Sequence, residues 1–273
     1  MAEAAVTPHL RAEGLHLRYP RSPHDAVRDV HLSVAKGELV CLVGPNGSGK
    51  STTMAGLARE LRPRSGSIRL DGCDAWGMAR REFARRVARL PQEPRCPEGL
   101  TVEELVSSGR NPHVPLLGGW HEADRCALHE ALRAMDLLDL RRAPVETLSG
   151  GVRRRAWLAM VLCQQAELLL LDEPTTGLDI RHQWEVLELL RRVNRERGTT
   201  MIVVLHDLEQ AAHLADRLAV FYRGRLYEDA SPREVLNPEM LLDVFHVATE
   251  VVHPELGPPT IIVRHPADPL RNL

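Results

Sequence analysis

Apolar positions alternate through Leu15, Leu17 and Tyr19 and again through Leu32 and Val34, with a break at Ala35-Lys36-Gly37-Glu38. Period-two spacing around a turn predicts short antiparallel strands, so a β layer opens the chain. Leu39 to Val43 is instead a continuous apolar run ending at Gly44. That is the pattern of a strand buried on both faces and entering a loop. Met54, Leu57, Ala58 and Leu61 then fall at helical spacing between Ser51 and Leu61. The predicted order is strand, glycine-rich loop, helix.

From about Pro94 to Thr147 glycine and proline interrupt two helical segments, Thr101 to Ser108 and Glu122 to Met135, which predicts a mainly helical lobe. After Ser149 the pattern alternates: helix over 152–165, buried strand over 168–171, helix over 181–197, buried strand over 201–205, helix over 208–215. Such alternation implies a mostly parallel sheet and an α/β fold class. Arg80, Arg81, Arg85, Arg86 and Arg89 flank Phe83 and Val87 on an amphipathic helix that leads into a strand, and read as a solvated face. Beyond Pro254 the proline-rich tail reads as an extended surface strap.

Composition removes several function classes. The 273 residues carry a formal charge of -2, so no global positive field exists to hold nucleic acid. The longest apolar runs fall far short of the ~18 residues that cross a bilayer. The start, MAEAAVTPHLRAEG, lacks the basic-then-apolar pattern of an export signal, so cytoplasmic residence is expected. Cys41, Cys73, Cys96, Cys126 and Cys163 contain no CxxC pair, which predicts reduced, mostly buried thiols rather than a disulfide or zinc framework. The 13 histidines show no HExxH spacing.

Gly44-Pro45-Asn46-Gly47-Ser48-Gly49-Lys50-Ser51 fits GxxxxGK[ST] in the required context, after a strand and at a helix start. Its glycines let backbone N–H groups turn toward phosphate oxygens, and the helix N-terminus adds a favourable dipole. Lys50 then reaches the β and γ phosphates, and the Ser51 hydroxyl, beside Thr52, ligates the bridging magnesium ion. Lys36 and Lys50 are the only lysines among 35 basic residues, so a lysine in this slot marks function. Downstream, Asp172 and Glu173 end a buried strand at the sheet edge where α/β proteins bind ligands. Asp172 is expected to hold magnesium through water and Glu173 to act as general base on the attacking water. Two solvated strand-end acids are the alternative.

Between these motifs lies Leu148-Ser149-Gly150-Gly151 ahead of a helix, and with it nearly the whole chain resembles the ATP-binding-cassette (ABC) ATPases. The resemblance implies an ABC ATPase domain over 8–250, a P-loop NTPase core with a helical signature lobe of about 94–165 inserted in it, and a C-terminal extension over 251–273. It makes Gln92, in Leu90-Pro91-Gln92, the Q-loop residue that reaches magnesium and the water. Asp179, in Gly177-Leu178-Asp179, becomes the D-loop residue at a dimer interface, and His206 the switch histidine on the γ phosphate. Tyr19 becomes the aromatic that stacks on adenine. A surface glutamine, a structural histidine and a core tyrosine are the respective alternatives.

Glycines at a helix tip present N–H groups to an anion, while this chain's own loop already surrounds its phosphates. Ser149, Gly150 and Gly151 are therefore expected to serve a partner's nucleotide in a head-to-tail homodimer that clamps two ATP molecules with Mg2+. Val152 stands where the family usually has glutamine, which predicts altered affinity rather than loss of function.

Gly109-Arg110-Asn111-Pro112-His113, Arg155-Ala156-Trp157 and Ile180-Arg181-His182-Gln183 resemble the ATPases of importers for ferric siderophores, haem or cobalamin. That branch implies an integral membrane permease docked on the helical lobe; for the arginine-rich helix, an anionic-lipid or permease-docking role is the alternative to a solvated face. The branch further implies an indirect link to a substrate-binding protein, and a peripheral place on the cytoplasmic face of the membrane. A soluble cassette acting on nucleic acid or the ribosome is the alternative. Such proteins carry a coiled-coil insertion, a zinc hook or tandem cassettes, and this chain has none of these.

Overall fold

The computed structural model describes residues 9–92, 94, 97–115, 118–255 and 257–266. The chain divides into two compact units, one reaching to Trp76 and resuming at Ile202, the other Gly77–Met201. The expected start of the cassette at residue 8, Cys96, and the last part of the tail lie outside the described residues.

The first unit opens with β1 (Leu10–Leu17), β2 (Val27–Val34), β3 (Leu39–Val43), α1 (Lys50–Leu57), β4 (Ser65–Leu70) and β5 (Cys73–Asp74). The second contains α2 (Arg80–Arg86), β6 (Val87–Leu90), α3 (Val102–Ser107), α4 (Glu122–Ala134), α5 (Gly150–Cys163), β7 (Leu168–Asp172) and α6 (Ile180–Arg197). Strand β8 (Thr200–Val204) carries the chain back into the first unit. There follow α7 (Leu208–Leu214), β9 (Arg217–Tyr222), β10 (Arg225–Ala230), α8 (Pro232–Val235), α9 (Pro238–Phe245), β11 (Val247–Val252) and β12 (Thr260–Pro266).

In the first unit the predicted antiparallel layer is a sheet in the order β2-β1-β4-β5, with Leu10 opposite Val34 on one side and Leu70 on the other. A second set of strands runs β10-β9-β3-β8. Here β3 lies parallel to β9, Val40 opposite Arg217 through Val43 opposite Val220. All five residues of β3 and of β8 are buried, as their unbroken apolar runs require. In the second unit β6 and β7 pair in parallel, Val87 opposite Leu168 through Leu90 opposite Leu171. The α/β class and the mostly parallel core strands hold.

Three expectations are corrected. The described part of the tail is a hairpin rather than a strap: Val252 pairs with Thr260 across β11–β12, and the Ile261 N–H donates to Glu209 Oε1 at 3.2 Å. The β-branched run Thr260-Ile261-Ile262-Val263 outweighs the neighbouring prolines. Among the described cysteines, Cys41 and Cys163 are buried, but Cys73 and Cys126 are exposed. The α2 arginines are not simply solvated. Arg81 and Arg85 both donate to the Pro112 carbonyl, at 2.9 and 2.8 Å, and Arg81 also donates to Val114.

Candidate functional site

β3 delivers the glycine-rich loop. Gly44 follows it with φ +141°, and a Cβ there would lie 2.1 Å from the Phe221 carbonyl oxygen of β9, so only glycine fits. The loop ends at Gly49, the N-cap of α1, at φ 107°. Its outer side leans on the β9–β10 turn: the Gly224 N–H donates to the Ser48 carbonyl at 2.9 Å, and the Arg28 N–H to the Gly224 carbonyl at 2.7 Å. Pro45, Asn46 and Gly47 form the more open rim, while Ser48 is buried.

Lys50 is only 5% exposed. Its Nζ donates to the carbonyls of Gly44 at 2.8 Å and Pro45 at 2.9 Å and reaches Ser48 Oγ at 3.5 Å. A polyanion entering the loop therefore meets a positive charge already held in position. Ser51 is half-buried and Thr52 buried on α1. In the same unit Tyr19 stands 47% exposed in the turn after β1, where its carbonyl accepts the Ser22 N–H at 3.0 Å. Core packing is thus excluded for Tyr19. His206 is exposed after β8, beside Asp207, which caps α7 by accepting the N–H groups of Glu209 and Gln210, both at 2.9 Å.

The second unit brings together a different set. Gln92, two residues past β6, donates from Nε2 to Glu173 Oε1 at 2.9 Å, and Thr176 Oγ1 donates to Glu173 Oε2 at 3.0 Å. Asp172 and Glu173 are 2% and 6% exposed. Glu173 takes φ +51°, a left-handed conformation that costs about 1–2 kcal/mol for a residue with a Cβ. Ser149 caps α5 by accepting the Val152 N–H at 3.4 Å, and both Ser149 and Gly150 are exposed. Asp179 caps α6, accepting from the His182 N–H at 2.9 Å. That hydrogen bond, with the His182 side chain at 2.8 Å, holds the Asp179 carboxyl below its ordinary value.

One residue escaped the sequence reading. Arg154 on α5 is 7% exposed, and its guanidinium donates to the carbonyls of Gln92 at 3.0 Å, Pro91 at 3.3 Å, Asp172 at 2.8 Å, Pro174 at 3.3 Å and Glu173. A signal existed: Trp157, Leu158 and Val161, three, four and seven positions on, place Arg154 on the apolar face of the helix. The branch motif also has a structural task. Arg110 Nε donates to Asp124 Oδ1 at 2.9 Å, and His113 Nε2 to the Gln164 carbonyl at 2.8 Å, tying that loop to α4 and α5.

A buried strand feeding a lysine-bearing loop at a helix start defines a P-loop nucleotide-binding protein. The ABC transporter family matches residues 27–176, and the chain belongs to that family as one of its ATP-binding subunits, an ATPase coupled to transport. It is 42% identical over 226 residues to the iron(3+)-hydroxamate import ATP-binding protein FhuC of Bacillus subtilis, covering 83% of this chain and 84% of that one. It is 39% identical over 254 residues to the ferric enterobactin transport ATP-binding protein FepC of Escherichia coli, covering 93% of both. Among solved structures, CbiO1 of Clostridium perfringens, part of the ABC transporter complex CbiONQ, matches with a TM-score of 0.74 at 26% identity, over 87% of this chain and 94% of that one. The nucleic-acid and ribosome alternative is set aside.

Proposed function

We propose that this chain hydrolyses ATP to energise the import of a metal chelate, a ferric siderophore foremost, through a separate membrane permease. The observation that carries the nucleotide half is Lys50, a buried ammonium held by loop carbonyls at a helix start. The cargo half rests on the relatives whose names specify iron(3+)-hydroxamate and ferric enterobactin.

In this reading the β and γ phosphates replace the Gly44 and Pro45 carbonyls as partners of Lys50, and the loop from Gly44 to Thr52 wraps them. The exposed Tyr19 ring offers adenine a π face. Ser51, Asp172 and Gln92 supply the hard oxygen donors that suit Mg2+, which when bound neutralises charge on the β and γ oxygens. Glu173 takes a proton from water as the water oxygen attacks the γ phosphorus. The bond to the β–γ bridging oxygen breaks, and ADP leaves with the electron pair. Gln92 holds Glu173 Oε1 at rest, so it must let go before that oxygen can accept the proton. His206 contacts the γ phosphate.

Two copies act together, each offering Ser149, Gly150 and Gly151 to the other's nucleotide, with Asp179 at the junction. The exposure of this helix tip supports the arrangement, as does Gly150, where an added Cβ meets nothing within 4 Å in the chain itself. The cassette spans 8–250 with its helical lobe at about 94–165, and 251–273 is an appendix to it. The lobe receives the permease, a substrate-binding protein acts from the other side, and the chain sits at the cytoplasmic face of the membrane. No described helix is long and apolar enough to cross a bilayer.

The Glu173→Gln variant tests the core of this reading. ATP binding should persist within about threefold, turnover should fall by 100-fold or more, and an ATP-dependent dimer should accumulate on size exclusion. Near-normal turnover would overturn the base assignment. Uptake of iron(3+)-hydroxamate by vesicles carrying the permease with this chain tests the cargo.

A further inference from the structure

Arg154 has the partners of a coupling residue. A buried guanidinium is costly unless its donors are satisfied, and most buried arginines meet that need with a carboxylate. Arg154 meets it with five main-chain carbonyls at the ends of two parallel strands: Pro91 and Gln92 after β6, and Asp172, Glu173 and Pro174 at the end of β7. The planar fork of arginine can span both chain segments at once, which the single ammonium of lysine cannot. Burial pulls the guanidinium below the usual arginine range, against the attraction of the Glu173 and Asp172 carboxylates. Five positions earlier on α5 stands Ser149, its exposed cap.

We propose that Arg154 is the positioning residue that makes the Ser149 tip of α5 and the Gln92–Glu173 pair move as one body. Contact of Ser149 with nucleotide is thereby felt at the two side chains that handle the attacking water. This rests on the ATPase reading above. The carbonyls that Arg154 grips belong to the residues whose side chains form the 2.9 Å Gln92–Glu173 hydrogen bond, so its loss frees both ends of that bond together. The hydrogen bonds of Arg154 all go to the two strand ends that carry Gln92 and Glu173. Its effect belongs in kcat and in the steepness of the ATP response, with binding to the loop spared.

The experiment compares the full chain with Arg154→Ala and Arg154→Lys, each also in a Gln92→Ala background. A fluorescent ATP analogue reports binding, and phosphate release reports turnover. Wild-type turnover tests the function itself; the variants test only the coupling. The expected result is a dissociation constant within about twofold of wild type, a kcat lowered at least tenfold in Arg154→Ala, partial recovery in Arg154→Lys, and a Hill coefficient falling toward one. In the Gln92→Ala background the further loss should shrink below about threefold, because the residue that Arg154 positions is already gone. A merely structural arginine would instead lower stability and affinity and add fully to Gln92→Ala, and that result overturns the proposal. Wild-type kcat in Arg154→Ala overturns it equally. If Arg154→Ala does not fold, Arg154→Lys decides by the same split and the same cycle.

Discussion

Lys50 and Glu173 show how differently two buried charges can be held. The ammonium is wrapped by carbonyls, whereas both carboxylate oxygens of Glu173 are occupied by donors, Gln92 and Thr176. The loop around Lys50 is legible in the sequence because its motif is contiguous and each letter has a steric or electrostatic task. The burial of Arg154 can be read from its place on the apolar face of α5, but its partners cannot, because they are carbonyls, which every residue carries and no letter announces. The most sharply constrained position is Gly44, where the neighbour at 2.1 Å is rigid backbone. Gly44→Ala is therefore expected to cost about 2 kcal/mol or more and to weaken ATP binding at least tenfold. Thermal melting and ATP titration check this, and wild-type values in both would show that the strand end is free to move.

Elements with a strong period were readable from the chain. The helix read over 181–197 is α6, Ile180–Arg197, and the strand read over 168–171 is β7, Leu168–Asp172. The stretch from Arg217 to Phe245 gave no element at all, yet it contains β9, β10, α8 and α9. β10 shows no buried alternation, with every residue exposed or half-buried, so it has no period to detect. α8 spans four residues, barely more than one turn, so its apolar spacing has no room to repeat. Short elements depend on their caps, and α7 is the clearest case, since Asp207 satisfies two of its orphan N–H groups. Asp207→Ala is expected to cost about 1 kcal/mol in urea unfolding. It should also lower turnover more than ATP affinity, because the cap fixes the backbone next to His206. An unchanged kcat would detach the cap from the chemistry.

At the scale of the molecule, the fold class and the nucleotide loop were legible in the letters of the chain, but the division at Trp76 and Ile202 was not, because it depends on contacts between distant segments. Nor did those letters reveal the ion pair of Arg110 with Asp124 on α4, both almost fully buried. Burial raises the Asp124 carboxyl, but the His121 N–H and the Arg110 guanidinium outweigh it and hold the group below its usual 3.8. A carboxyl with a lowered folded value contributes stability that is present above the unfolded value and lost as the pH falls through the folded one. Asp124→Asn is therefore expected to destabilise by about 3 kcal/mol at pH 7, with the gap to wild type closing below pH 3.8. Urea unfolding at pH 7 and pH 3 measures it, and a gap that stays constant with pH would assign the loss to packing alone.

The prop beneath the phosphate loop reaches further along the chain than the family match does. Ser48 rests on Gly224, and Gly44 is moulded against Phe221, so a fragment trimmed at residue 176 would keep every letter of the lysine motif and lose the wall it is cast against. Anyone shortening this protein to its smallest nucleotide-holding piece must retain the β9–β10 hairpin as the support of the loop.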